Sequence, residues 1–137
     1  MTSTERHVCI AGVALFLFGL LLGFVVPIFP DKQSVLNAHL TALGSGTFLI
    51  AIGFLWRRLN LSTKTSTIFA HILWISFYVL EAGLTLDAAS AAGQGHEQST
   101  VGHSVAGLLN AIGAIPMTIA VVVVLVGLVK ARNVPSS

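Results

Sequence analysis

The sequence predicts an all-α integral membrane protein, a four-helix bundle in a single domain spanning 1–137, and three observations carry that prediction. Only 9% of the 137 residues are charged, where a soluble domain carries about a quarter. Mean hydropathy is +0.90, with 55% of residues hydrophobic. Four apolar runs, at 8–28, 36–56, 66–86 and 104–129, each reach the ~20 residues that a helix needs to cross a hydrocarbon core. The helices are expected at about 8–28, 36–56, 66–90 and 103–131.

Charge placement sets an expected orientation. Arg57, Arg58 and Lys64 lie between helices two and three, and Lys130 and Arg132 follow helix four, against Lys32 alone in the other two connections. Lys and Arg are retained on the cytoplasmic side, so both termini and the middle connection are expected there, in a multi-pass protein of a bacterial-type inner membrane. The sequence pI of about 9.1 reflects this bias. No basic run interleaved with aromatics is present, so nucleic acid is excluded as a partner and membrane lipid is the expected surrounding. Cys9 is the single cysteine, which excludes an intrachain disulfide and any cysteine-based metal cluster.

The N-terminal tail, 1–7, is short and polar, with Thr4 as the expected N-cap of helix one. Helix one is too long for a signal-peptide core and is followed by VPIFPDKQ instead of a small-x-small cleavage site, so it is expected to stay as a helix. Gly19 and Gly23 give it a GxxxG packing signal. Pro27 and Pro30 end it, and Ser34 or Asn37 is the expected cap of helix two.

Helix two carries an ionisable side chain, His39, near its start. Positions seven apart return to nearly one face, so His39, Gly46 and Gly53 form a stripe almost bare of side chains. Such a face lets a neighbouring helix approach closely, or leaves room for a flat ligand held by the histidine. Both readings stand at this level. Trp56, Arg57 and Arg58 then anchor the helix end at the interface.

Helix three carries His71, Trp74, Tyr78, Glu81 and Thr85 at spacings of three and four, which places all five on one face. Lipid penalises such a stripe, so it is expected to face the interior or a solvated cavity. The polar stretch at 87–102 is expected as a flexible loop holding an exposed His96. Helix four places His103, Gly107, Asn110 and Ala114 on one face and carries Pro116, an expected kink. His39, Tyr78, Glu81, His103 and Asn110 are therefore the residues able to carry chemistry, in the outer half of the bundle. Glu81 and Asn110 have an alternative role as interhelical hydrogen bonders.

The segment NAHLTALGSGTFLIAIGFLWRRLNLS resembles the AHL(x)5G(x)FL(x)3G(x)LW region of the hydroxylaminobenzene mutases, and the GFVVPIFP turn and four-helix layout are similar to that family too. The resemblance implies a membrane isomerase that converts hydroxylaminobenzene, a small aromatic substrate formed in nitroarene degradation, into 2-aminophenol. A more distant likeness is to styrene oxide isomerase, through the Ala38-His39 pair, Gly46 seven residues on, and the Phe77-Tyr78 pair. It implies haem b with His39 as the axial metal ligand, Gly46 at the cofactor, Tyr78 facing the substrate, and a homo-oligomer, specifically a trimer. One departure is Ser45, where that isomerase has a pocket asparagine.

Together these lead to an expected intramolecular hydroxyl transfer. His39-ligated haem would act as the Lewis acid, Trp74 and Tyr78 would stabilise the cationic ring, Glu81 would take the ortho proton, and Asn110 would complete the catalytic set. Two alternatives remain: an epoxide isomerase using the same iron, and a non-catalytic haem-binding membrane subunit with His103 as a second ligand.

Overall fold

The computed structural model describes residues 2–29, 31–59, 61–92 and 100–132. These form α1 (Ser3–Val25), α2 (Lys32–Leu55), α3 (Thr63–Ala92) and α4 (Thr100–Arg132), with single 3-10 turns at Val26–Ile28 and Trp56–Arg58. All four helices are long and apolar enough to cross a membrane, so the protein is an all-α, multi-pass membrane bundle.

The helix ends differ from the sequence expectation. Thr2, not Thr4, caps α1: its hydroxyl accepts from Glu5 N while Glu5 Oε2 accepts from Thr2 N at 2.7 Å, a capping box set by Thr-x-x-Glu spacing. Asp31, not Ser34 or Asn37, caps α2, accepting from the backbone N–H groups of Gln33 and Ser34 at 3.1 and 3.2 Å. The Ser34 hydroxyl also donates to Asp31 at 2.6 Å, and this bond leads in holding the exposed carboxyl below its ordinary pKa. Most of the stretch expected as a flexible loop is helical: α3 continues to Ala92 and α4 opens at Thr100, while His96 lies outside the described residues. The cause is local, since 88–92 are alanines and serine with no breaker before Gly93.

Two close helix pairs, α1 with α2 and α3 with α4, pack mainly through α2 against α3, with a sparser contact between α1 and α3. The glycines explain the first pair. A Cβ on Gly46 would lie 2.6 Å from Phe16 N and 2.8 Å from Gly12 O, so only glycine permits this crossing. Buried Val8, Leu15, Leu49, Leu73, Phe77 and Ala120 belong to one apolar core that draws on all four helices.

At the Arg57 end, Glu5 is 3% exposed and pairs with Arg57 Nε at 3.0 and 3.2 Å, tying the start of α1 to the turn after α2. Trp56 Nε1 donates to Ser66 Oγ at 2.7 Å and fastens the same turn to α3. The N-terminal tail thus has a structural role that its composition did not announce. At the other end His103, expected among the interior groups of helix four, is largely exposed and donates from Nδ1 to Asp87 at 3.0 Å. His71 is exposed as well, and it donates to the Thr67 carbonyl one turn back at 2.8 Å.

Candidate functional site

The first and third helices meet only sparsely, and between them lies a groove of about 550 Å³. Tyr78, Glu81 and Thr85 of α3 line it, as their i, i+3, i+7 spacing foretold, and Ala14, Leu15 and Phe18 of α1 form the opposite wall. The lining is almost wholly apolar apart from these polar groups. Ala14, Phe18, Ala82, Leu86 and Ala89 are exposed along its open side, so the groove opens laterally, toward lipid in a membrane.

Tyr78 fixes the register of the two walls. Its hydroxyl donates to the Ala11 carbonyl at 2.9 Å, the bond that straps α3 to α1. The phenol proton is thereby committed, and what Tyr78 offers a ligand is its ring and an oxygen lone pair. Trp74 stands behind it, edge to face at 5.9 Å, and is not among the residues lining the groove.

Glu81 is 3% exposed, and apart from the neighbouring Thr85 hydroxyl neither carboxylate oxygen has a hydrogen-bond partner among the described residues. The Thr85 hydroxyl one turn on is buried beside it and has no other partner among the described residues. Other hydroxyls behave differently: exposed Thr47, Thr67 and Thr118 each donate to the carbonyl four residues back, as buried Ser76 does. An unpaired buried polar group costs about 1–3 kcal/mol, so a carboxyl and a hydroxyl left open at the base of one groove mark a surface built to meet donors and acceptors from elsewhere.

Asn110 does not join them. Its Oδ1 is buried against Gly83 in the α3–α4 seam, without a hydrogen-bond partner among the described residues, and the residue does not line the groove.

His39 lies apart as well. The glycine stripe beneath it is filled by α1 through Gly12, Phe16 and Cys9, so of the two readings of that bare face the close helix approach is the one realised within the protomer. The imidazole is half-buried over Gly23, where a Cβ would come within 2.8 Å of its Cε1. Its Nδ1 donates to the Gly19 carbonyl at 2.7 Å. That bond selects the tautomer with a lone pair on Nε2, the arrangement typical of a metal-ligating histidine, so His39 has the donor chemistry that could hold a metal through Nε2. Among the described residues no three His, Cys, Asp or Glu side chains cluster as a metal site. Ser45, which replaces the asparagine of the distant likeness, lies with Thr41, Phe48 and Phe77 in a separate recess of about 390 Å³.

Sequence reasoning found the α3 half of the groove and missed the α1 half. Ala14, Leu15 and Phe18 carry no polar signal, and a lone alanine in a Leu and Phe background is weak notice of a recess.

The family model described as styrene oxide isomerase matches residues 4–131. Hydroxylaminobenzene mutase HabB of Ectopseudomonas oleovorans is 41% identical over 58 residues, covering 42% of this chain and 35% of that protein. Hydroxylaminobenzene mutase HabA of the same organism is 29% identical over 89 residues, covering 65% of this chain and 66% of that protein. The matched segments thus span about a third of the first relative's length and just under two thirds of the second's. No solved structure matches the chain.

Proposed function

The chain belongs to the styrene oxide isomerase family, and we propose that within it this protein isomerises hydroxylaminoarenes, hydroxylaminobenzene foremost, to ortho-aminophenols. The observation that carries this reading is a buried Glu81 carboxyl with the Thr85 hydroxyl beside it, and no other partner for either among the described residues, in an otherwise apolar groove. Such a groove suits an arene with one compact polar end. The two hydroxylaminobenzene mutase relatives support the choice of substrate class.

The rearrangement conserves atoms: the N–O bond breaks, a C–O bond forms at the ortho carbon, and the proton on that carbon moves to a base while nitrogen regains one. Heterolysis spreads positive charge over nitrogen and ring. In this reading Glu81 holds the N–OH end and accepts the ortho proton as aromaticity returns, a general-base contribution of ~10²- to 10⁴-fold. Thr85 positions the polar end beside it. The Tyr78 ring, held by its bond to Ala11, offers its π-density to the cationic arene. The apolar walls keep water sparse, which favours return of the same hydroxyl over capture of a bulk nucleophile.

Haem b is proposed as the cofactor, held by His39 through Nε2. When bound it supplies a Lewis acid. In this reading the assembly is a homo-oligomer, a trimer, in an inner membrane with both termini cytoplasmic.

The test uses membranes containing the expressed protein, given hydroxylaminobenzene made with ¹⁸O in the hydroxyl. Production of 2-aminophenol that retains the label supports intramolecular transfer, and product carrying solvent oxygen refutes it. A second reading, isomerisation of styrene oxide-like epoxides, is favoured by the family match. The same membranes given styrene oxide decide between them.

A further inference from the structure

The groove is larger than its polar base requires. A cavity of about 150 Å³ suffices for benzene, yet this one holds about 550 Å³. Its long axis follows α3 from Tyr78 to Ala89, eleven residues or roughly 16 Å at the helical rise.

The polar groups occupy one part of that length. Tyr78, Glu81 and Thr85 cover the first seven residues, roughly 10 Å, and the remaining stretch beyond Thr85 is lined by Leu86 and Ala89 alone on α3. The Tyr78 to Ala11 bond sets the level of α1. Counting seven residues on along both helices brings Phe18 level with Thr85, so an aromatic ring stands at the entrance to the apolar extension. A single-ring substrate anchored at Glu81 leaves that extension filled only by lipid.

We propose that the site is dimensioned for arylhydroxylamines carrying a second ring or equivalent apolar substituent para to the N–OH group, with Ala89 as the residue that limits their length. This rests on the hydroxylaminoarene reading above. The polar end meets Glu81 and Thr85, and the distal ring lies against Phe18, Leu86 and Ala89 on the groove's open, lipid-facing side. Ala89 is exposed on a helix surface, so a larger side chain there narrows the extension without entering the core.

The experiment uses the full chain in lipid nanodiscs and compares kcat/KM for 4-hydroxylaminobiphenyl and hydroxylaminobenzene. Wild type is expected to favour the two-ring compound by about tenfold or more, the range that a hydrophobic pocket supplies. Ala89→Leu is expected to lower that ratio by about tenfold. Ala14→Leu, at the polar end, is expected to depress both compounds and leave the ratio near its wild-type value. A wild-type ratio at or below unity overturns the proposal, as does an Ala89→Leu ratio equal to wild type. If neither compound is isomerised, the mutase reading fails separately. The dimensions are then tested by binding of the inert pair 4-aminobiphenyl and aniline, corrected for empty nanodiscs. Tighter binding of 4-aminobiphenyl, weakened by Ala89→Leu, upholds the two-ring site, and equal binding overturns it.

Discussion

Gly46 separates helix packing from cofactor contact, because the two roles give different outcomes for one added methyl. In Gly46→Ala the new Cβ would sit 2.6 Å from Phe16 N and 2.8 Å from both Phe16 Cα and Gly12 O. Carbon contacts settle at about 3.5–4.0 Å, and the opposing atoms are backbone that cannot rotate away, so α1 and α2 must part by roughly 1 Å. Overpacking of this kind costs about 1–3 kcal/mol, offset by about 0.5–1 kcal/mol from replacing glycine in a helix. The net loss expected is roughly 0–2.5 kcal/mol.

Gly44, two residues away on the same helix, has nothing among the described residues within 4 Å of its added Cβ. Gly44→Ala is therefore expected to be neutral or to stabilise by up to about 1 kcal/mol. Gly12→Ala strains the same crossing as Gly46→Ala, so the double variant should lose less than the sum of the singles. The assay is unfolding of the purified protein by titrated sodium dodecyl sulfate in mild detergent, followed by circular dichroism, with haem content measured on the same samples. If Gly46→Ala proves as stable as Gly44→Ala, the close crossing is not what holds the first helix pair together. If stability is kept and Soret absorbance is lost, Gly46 is a cofactor contact.

Glu81→Gln keeps size and hydrogen-bonding capacity, and turnover is expected to fall ~10²- to 10⁴-fold with helicity unchanged; full turnover in this variant would remove the carboxyl from the chemistry. Tyr78→Phe deletes the bond to Ala11, so denaturation in detergent should show a loss of about 1 kcal/mol, and a variant as stable as wild type would contradict the strap. His39→Ala is expected to lose haem and activity together while inserting normally; retained haem would assign the iron to another ligand. For Asp31 the sign follows from its hydrogen bonds. The carboxyl is held below its ordinary pKa, so its capping contribution is present above the unfolded value and fades as pH falls through the folded one. Asp31→Asn should flatten the acid limb of a stability-against-pH curve, and an unaltered limb would dismiss the cap as its origin.

Much of this protein follows from its residues taken in order. Span length and hydropathy determined four membrane helices, because a bilayer leaves a chain no other way to satisfy its backbone along runs this long and apolar. Helical periodicity placed Tyr78, Glu81 and Thr85 on one face, and lipid's penalty on a carboxyl required that face to be sheltered. The His39, Gly46 and Gly53 stripe was equally legible, but its occupant was not. A bare helix face is the same sequence feature whether α1 or a ligand covers it, and the approach of Gly12 and Phe16 decided that within the protomer.

What the tertiary structure alone decided is which elements meet. Residues on helix four that share a face, His103 and Asn110, end in different places, one exposed beside Asp87 and one wedged against Gly83. Both turn toward α3, and what separates them is height along the α3–α4 seam, since His103 meets Asp87 near the start of α4 whereas Asn110 lies about two turns further along it. The α1 wall of the groove is invisible in sequence for a related reason. Ala14 and Phe18 become a recess only because the Tyr78 hydroxyl found the Ala11 carbonyl 67 positions away and set two parallel helices in register. Periodicity fixes the face each side chain shares along its own helix, whereas the partner of that face is a matter of three-dimensional packing between helices distant in sequence.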